Sequence, residues 1–328
     1  MLKKILVTGA GGFIGGFIVE EALRRGYETW AGVRASTNKE YLKDENIKFI
    51  DLKFNDKEQL KKQLSEQKEK FGAWNYIVHN LGVTKCKNPE DFDLINYGFV
   101  KNFTEALIET ETVPEQFIMM SSLGAWGIGD ETGFTPIRQS DVPHPNTRYG
   151  KSKLKAEQHL YSLSNFPYVI MRPTGVYGPR EKDYYLMMKT IKFGFDFSVG
   201  YKKQLITFIY VRDLVKAVKQ RGYFISDGGA YTSTQFRKYI ASAMGKRFVI
   251  PIRLPLVFLK IVSYCAEFFA SLTGSASTLN RDKYNIMKQR NWICDITPLQ
   301  KELEFEPDYP LEKGVYETVN WYKKSGWL

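Results

Sequence analysis

The stretch TGAGGFIG (Thr8–Gly15) constrains this chain more than any other. KKILVTG (3–9) before it is an apolar run of strand length, and Phe13–Arg25 after it carries apolar residues at helical spacing. Three glycines between a strand and a helix make a phosphate cradle. Gly9 permits a tight turn, Gly12 lets a pyrophosphate approach the backbone, and Gly15 lets the helix pack closely. The helix N-terminus adds unpaired amides and a favourable dipole, so Phe13 and Ile14 in its first turn join the glycines as cofactor-binding candidates.

The segments beyond the loop set the architecture. Apolar runs at Glu28–Val33, Ile47–Phe49, Tyr76–His79, Gln116–Ser121 and Tyr168–Arg172 alternate with helical patterns that include Asp91–Glu109 and Tyr149–Leu163. Continuous runs such as ILV, YIV, FIMM and YVIM suit strands buried on both faces. The pattern predicts a Rossmann-like α/β fold, a doubly wound parallel sheet. Alternation fades near residue 175, so the chain reads as a dinucleotide-binding domain over 1–175, rejoined by some later segments. Residues 176–328 then form mainly a smaller C-terminal substrate lobe.

Bulk chemistry removes several function classes. Cys86, Cys265 and Cys294 are odd in number and form no CxxC pair, which argues for a reducing, cytoplasmic setting over a disulfide framework. His79, His144 and His159 lack metal-ligand spacing, so no metal is expected. The net charge of +11 favours an anionic partner, yet much of the lysine alternates with acids over Lys53–Phe71, the pattern of a solvated helix face. Without a recognisable nucleic-acid module, that partner class is not expected. The first apolar run is too short for a signal peptide.

Candidate chemistry lies at Tyr149 and Lys153, one helical turn apart and on one face, with Ser122 at a strand end 27 residues before the tyrosine. A phenol of pKa about 10 needs a neighbouring cation to act near neutrality, and a serine hydroxyl can hold a substrate oxygen.

TGxxGxxG, the serine of FIMMSSLGAWG and the YxxxK pair together resemble the extended short-chain dehydrogenases/reductases, the epimerase/dehydratase group. MRPTGVYGPR (171–180) and TFIYVRDLVKAV (207–218) extend the resemblance along the chain. It implies a Ser122–Tyr149–Lys153 catalytic set, with Lys153 lowering the Tyr149 pKa and binding the nicotinamide ribose. It also implies cofactor contacts from Asp51 and Leu52 (adenine), Asn80, Leu81 and Gly82 (ribose), Pro173 beside the nicotinamide, and support from Asn96. His79 reads as a packed strand-end residue. A homodimer packed through helices 91–109 and 149–163 is implied by the same resemblance.

Cofactor choice rests on charge after the second strand. An acid there would favour NAD, but the chain carries Val33 and then Arg34, a guanidinium suited to a 2′-phosphate. NADP(H) is expected, with NAD(H) the alternative. The segments GYETWAGVR and the C-terminal NWICDITP…GWL resemble the dihydroflavonol-reductase-like and 3β-hydroxysteroid-dehydrogenase-like branch. Members acting on nucleotide sugars carry an arginine where this chain has Ile206, and sugar dehydratases carry Asp-Glu where it has Leu123-Gly124-Ala125. A carbonyl reductase or alcohol dehydrogenase for a hydrophobic, lipid-like keto or hydroxy compound is therefore the leading expectation. The rivals are a nucleotide-sugar epimerase or reductase and a non-enzymatic dinucleotide-sensing scaffold. Over Leu254–Leu272, Lys260, Ser263, Glu267 and Ser271 form one polar stripe on an otherwise apolar helix. Three placements stay open for it: lining a pocket, lying in a membrane interface, or buried in the lobe.

Overall fold

The computed structural model describes residues 2–217, 222–273, 277 and 279–328; Val218 and the side chains of Ser271 and Leu272 lie outside the described residues. The chain begins with strand β1 (Lys4–Thr8), the glycine loop and helix α1 (Phe13–Arg24), then β2 (Glu28–Gly32) and β3 (Lys48–Ile50). Helix α2 (Lys57–Phe71) is capped by Asp56, whose side chain accepts from the Gln59 amide, and it turns Leu60 and Leu64 inward. Next come β4 (Tyr76–His79), a helical stretch, β5 (Gln116–Met120), and later in the chain β6 (Tyr168–Pro173). These six strands are all parallel, in the order β6-β5-β4-β1-β2-β3. Strand order reverses between β1 and β4, the crevice where doubly wound sheets bind ligands, and the glycine loop leaves β1 at that point.

The stretch read as one helix over Asp91–Glu109 is built in three pieces: α3 (Asp91–Asp93), a π-helical turn (Leu94–Gly98) and α4 (Phe99–Glu109). A π turn inserts one residue into the helical repeat, often at functional sites, and here it lies around fully buried Asn96. In α4, Phe103 packs against Phe54, His79 and Phe117 at ring separations of 5.1, 5.7 and 5.8 Å. Helix α5 (Arg148–Ser162) carries the Tyr149–Lys153 pair.

Two compact units divide the chain. Of the described residues, the first takes those in 2–125 and 148–172 with Gly222; the second takes those in 126–147, 173–217 and 223–328. The second unit comprises β7 (Gly175–Tyr177), α6 (Asp183–Lys192), β8 (Phe195–Val199), β9 (Leu205–Ile206), β10 (Phe208–Tyr210) and α7 (Val211–Lys216). It continues with β11 (Tyr223–Ile225), β12 (Tyr231–Thr232), α8 (Ser233–Ala243), β13 (Ile250–Leu254), α9 (Leu256–Thr273) and α10 (Arg281–Met287), then β14 (Asn291–Trp292), α11 (Thr297–Leu303) and α12 (Leu311–Lys324). Its core gathers Tyr177, Phe208 and Phe236 with α12 residues Val315, Val319 and Tyr322, and half-buried Ile206 packs on that cluster. Among the described residues no helix is long and apolar enough to cross a membrane.

Candidate active site

The glycine loop has the backbone its sequence demands. Gly9 turns at φ +64°, and a methyl group at Gly15 would lie 2.2 Å from the Gly9 carbonyl oxygen, so only glycine lets α1 approach this closely. Among the described residues no side chain caps α1 and no acid occupies its first turn, which leaves amides of Phe13 and Ile14 facing an end suited to an anion. Loop and sheet are tied by Thr8, whose hydroxyl accepts from the Leu81 amide at 3.3 Å and lies 3.1 Å from His79 Nδ1. Burial holds the His79 pKa down at about 3, with Lys153 lowering it further, so the ring is neutral and packed, as expected for a strand-end residue.

Arg34 is exposed at the start of a turn closed by the Thr37 amide donating to its carbonyl at 2.9 Å, while the Arg34 amide donates to the Thr37 hydroxyl. Asp51 follows β3 and holds Lys53 at 2.8 Å; Leu52 is in the core; Asn80 and Leu81 are half-buried beyond β4, beside Gly9. Pro173 falls in the second unit.

Ser122, Tyr149, Lys153, Asn96 and Gly82 come together. Ser122 lies just beyond β5, hydrogen-bonds Tyr149, and accepts from the Gly124 amide at 3.1 Å. Tyr149 sits at the start of α5, where burial raises its pKa and the Ser122 hydrogen bond offsets part of that rise. This corrects the expectation of a phenol lowered by Lys153. The lysine is itself buried, pushed down to about 8 by desolvation, and donates to the Met120 carbonyl at 2.9 Å. Asn96 accepts from the Val83 amide at 2.8 Å and donates to the Val83 carbonyl and the Ser152 hydroxyl, both at 3.0 Å. Ser152 in turn donates to the Tyr149 carbonyl at 2.8 Å, so the π turn is fastened to the first turn of α5. A methyl group at Gly82 would lie 2.8 Å from Asn96 Oδ1 and 3.0 Å from Lys153 Nζ.

One set of residues under this site has no local signature in the sequence. Glu157, one turn beyond Lys153, is fully buried and takes a 2.8 Å ion pair from Arg172, and the Ser121 hydroxyl donates to it. Arg172 also donates to Tyr161 at 2.6 Å. Glu157 raises the Lys153 pKa against desolvation and locks α5 to the ends of β5 and β6. One indirect signal exists: an arginine closing the buried run YVIMR requires a buried acid.

A parallel sheet with this switch point, a glycine cradle and a Ser–Tyr–Lys cluster defines an NAD(P)-dependent enzyme of the extended short-chain dehydrogenase/reductase type. The chain belongs to the NAD dependent epimerase/dehydratase family, whose model matches residues 5–220. It is 26% identical to UDP-glucose 4-epimerase of Vibrio cholerae, covering 97% of this chain and 95% of that one. It is 22% identical to ceramide reductase of Caulobacter vibrioides, covering 99% and 96%. Among solved structures it is similar to UDP-glucose 4-epimerase of Thermotoga maritima with UDP-glucose, at TM-score 0.76 and 22% identity over 98% and 99% of the two chains. At that identity the likeness speaks for the fold.

Proposed function

We propose that the protein is an NADP(H)-dependent carbonyl reductase or alcohol dehydrogenase whose substrate is a hydrophobic, lipid-like keto or hydroxy compound. The observation that carries this reading is the Ser122–Tyr149–Lys153 cluster, with its lysine buried, in a chain that has Ile206, not an arginine, where nucleotide-sugar enzymes of the family hold the diphosphate. The similarity to a ceramide reductase supports the substrate class.

The glycine loop with Phe13 and Ile14 would hold the pyrophosphate of the dinucleotide, Asn80, Leu81 and Gly82 its ribose, and Asp51 and Leu52 its adenine end. Lys153 would hold the second ribose, with Pro173 flanking the nicotinamide. Once bound, the dinucleotide supplies or accepts the hydride. Ser122 holds the substrate oxygen by a hydrogen bond, and Tyr149 gives that oxygen its proton or takes it away. A phenol of raised pKa is protonated at neutral pH, the state the reductive direction needs; burial makes it a weaker acid, and the Ser122 hydrogen bond offsets part of that rise. Lys153, which desolvation pushes down to about 8 against the opposing pull of Glu157, would supply the donor that holds that ribose. Arg34 would clamp the 2′-phosphate.

Tyr149→Phe should lower turnover by at least about a thousandfold while NADPH binding, read by fluorescence titration, stays within about twofold; full turnover in the variant would end the mechanism. Arg34→Asp should reverse a preference for NADPH over NADH, and equal affinities in the native chain would refute the role given to Arg34. A nucleotide-sugar epimerase is the second reading, favoured by the similarity to UDP-glucose 4-epimerases. Thermal stabilisation by UDP-sugars but not by keto lipids would select it.

A further inference from the structure

Helix α9 is amphipathic in the reverse of the usual sense. Leu259 and Ser263 are buried, and the Glu267 carboxylate accepts from the Arg281 amide at 3.0 Å at the start of α10. The polar stripe of the sequence therefore turns partly inward. Val257, Phe258 and Ile261 face solvent, at 69, 53 and 58% exposure. A helix buried in the lobe, one of the three open placements, is not what the chain builds.

The apolar surface continues into the strand that leads to α9. β8 and β13 form a two-stranded parallel ribbon in which Phe195 pairs with Ile250, Phe197 with Ile252 and Val199 with Leu254. Paired residues share a face, so one side of the ribbon is wholly apolar. Phe195, Phe197 and Ile250 on that side are exposed, with the two phenylalanine rings 6.4 Å apart. Phe193 and Phe248, just before the two strands, are more exposed still. Parallel strands normally have both faces covered, and a contiguous apolar patch with aromatic residues marks an interaction surface.

Charge identifies the partner. Exposed basic residues punctuate the patch: Lys192 and Lys202 flank β8, Lys246 and Arg247 precede β13, and Lys260 is in α9. Over 192–203 and 246–260 the one carboxylate is Asp196, on the other side of the ribbon and ion-paired with Arg237 of α8. A second copy of this chain would set these cations against themselves, whereas an anionic lipid surface neutralises them while taking up the phenylalanines. We propose that the ribbon of β8 and β13 and the outer side of α9 dock the protein onto the surface of an anionic lipid bilayer. Docking deepens the lipid-substrate reading and rests on it for its purpose.

The test is co-sedimentation of the full chain with vesicles of phosphatidylcholine alone or with about a third phosphatidylglycerol, in low and high salt. Binding should favour anionic vesicles at least tenfold and weaken in salt. The variant carrying Phe197→Ser and Ile261→Ser should lose at least tenfold on both vesicle types. The variant carrying Lys246→Gln and Arg247→Gln should lose the preference for anionic lipid. All three proteins should keep one urea midpoint and one rate on a short, water-soluble ketone. Absence of vesicle binding overturns the proposal, as does equal binding by the serine variant. A dimer that the serine substitutions dissolve, without vesicle binding, assigns the face to a second copy and also overturns it. A chain that binds vesicles yet reduces no ketone overturns the functional reading and leaves docking standing.

Discussion

Helices α4 and α9 carry apolar stripes of similar composition and turn them in opposite directions. In α4, Val100, Phe103, Ala106 and Leu107 are buried beneath the sheet's helical layer, and polar Lys101 is outside. In α9, Phe258 and Ile261 are outside while Ser263 is buried. Apolar residues at helical spacing signal a face to be covered, but not what covers it. For α4 the chain's own sheet supplies the cover. For α9, among the described residues, Leu259 and Ser263 turn inward while Val257, Phe258 and Ile261 stay exposed.

This contrast can be broken by the same substitution on each helix. Phe103→Ala removes a ring from a packed cluster and should cost about 3–5 kcal/mol of unfolding free energy, measured by urea denaturation with an unchanged m-value. Phe258→Ala removes a ring that solvent already reaches and should change stability by no more than about 0.5 kcal/mol. Equal losses would mean that α9 is covered within the folded chain and would remove the basis for a docking face.

The parts of the molecule legible in sequence are those whose signals are local. The glycine loop lies between strand and helix within one short stretch, and Tyr149 and Lys153 are one helical turn apart. The parallel sheet is announced by runs that are apolar at every position. Less legible are features that depend on pairing across elements. The Glu157–Arg172–Ser121 set joins a helix to two strand ends, so no window of sequence contains it. The π turn at Leu94–Gly98 preserves an ordinary helical composition, which hides the extra residue around Asn96. The Tyr149 pKa moves opposite to expectation because burial, a property of the whole fold, outweighs the single hydrogen bond from Ser122 that lowers it. Residues 126–147 belong to the second unit although they interrupt the first in sequence, and nothing in their composition marks that change. In α9 the polar stripe is visible in sequence, but its direction is not: Glu267 turns toward the Arg281 amide, which lies outside the helix.

Whether the Ser122–Tyr149–Lys153 centre serves a hydrophobic carbonyl compound decides the proposed function. It is tested most directly by NADPH oxidation across a series of ketones graded in chain length and polarity, with UDP-glucose alongside. kcat/KM should rise with chain length, with no turnover or epimerisation of UDP-glucose. Conversion of UDP-glucose, with no ketone of any length reduced, would contradict the proposed function.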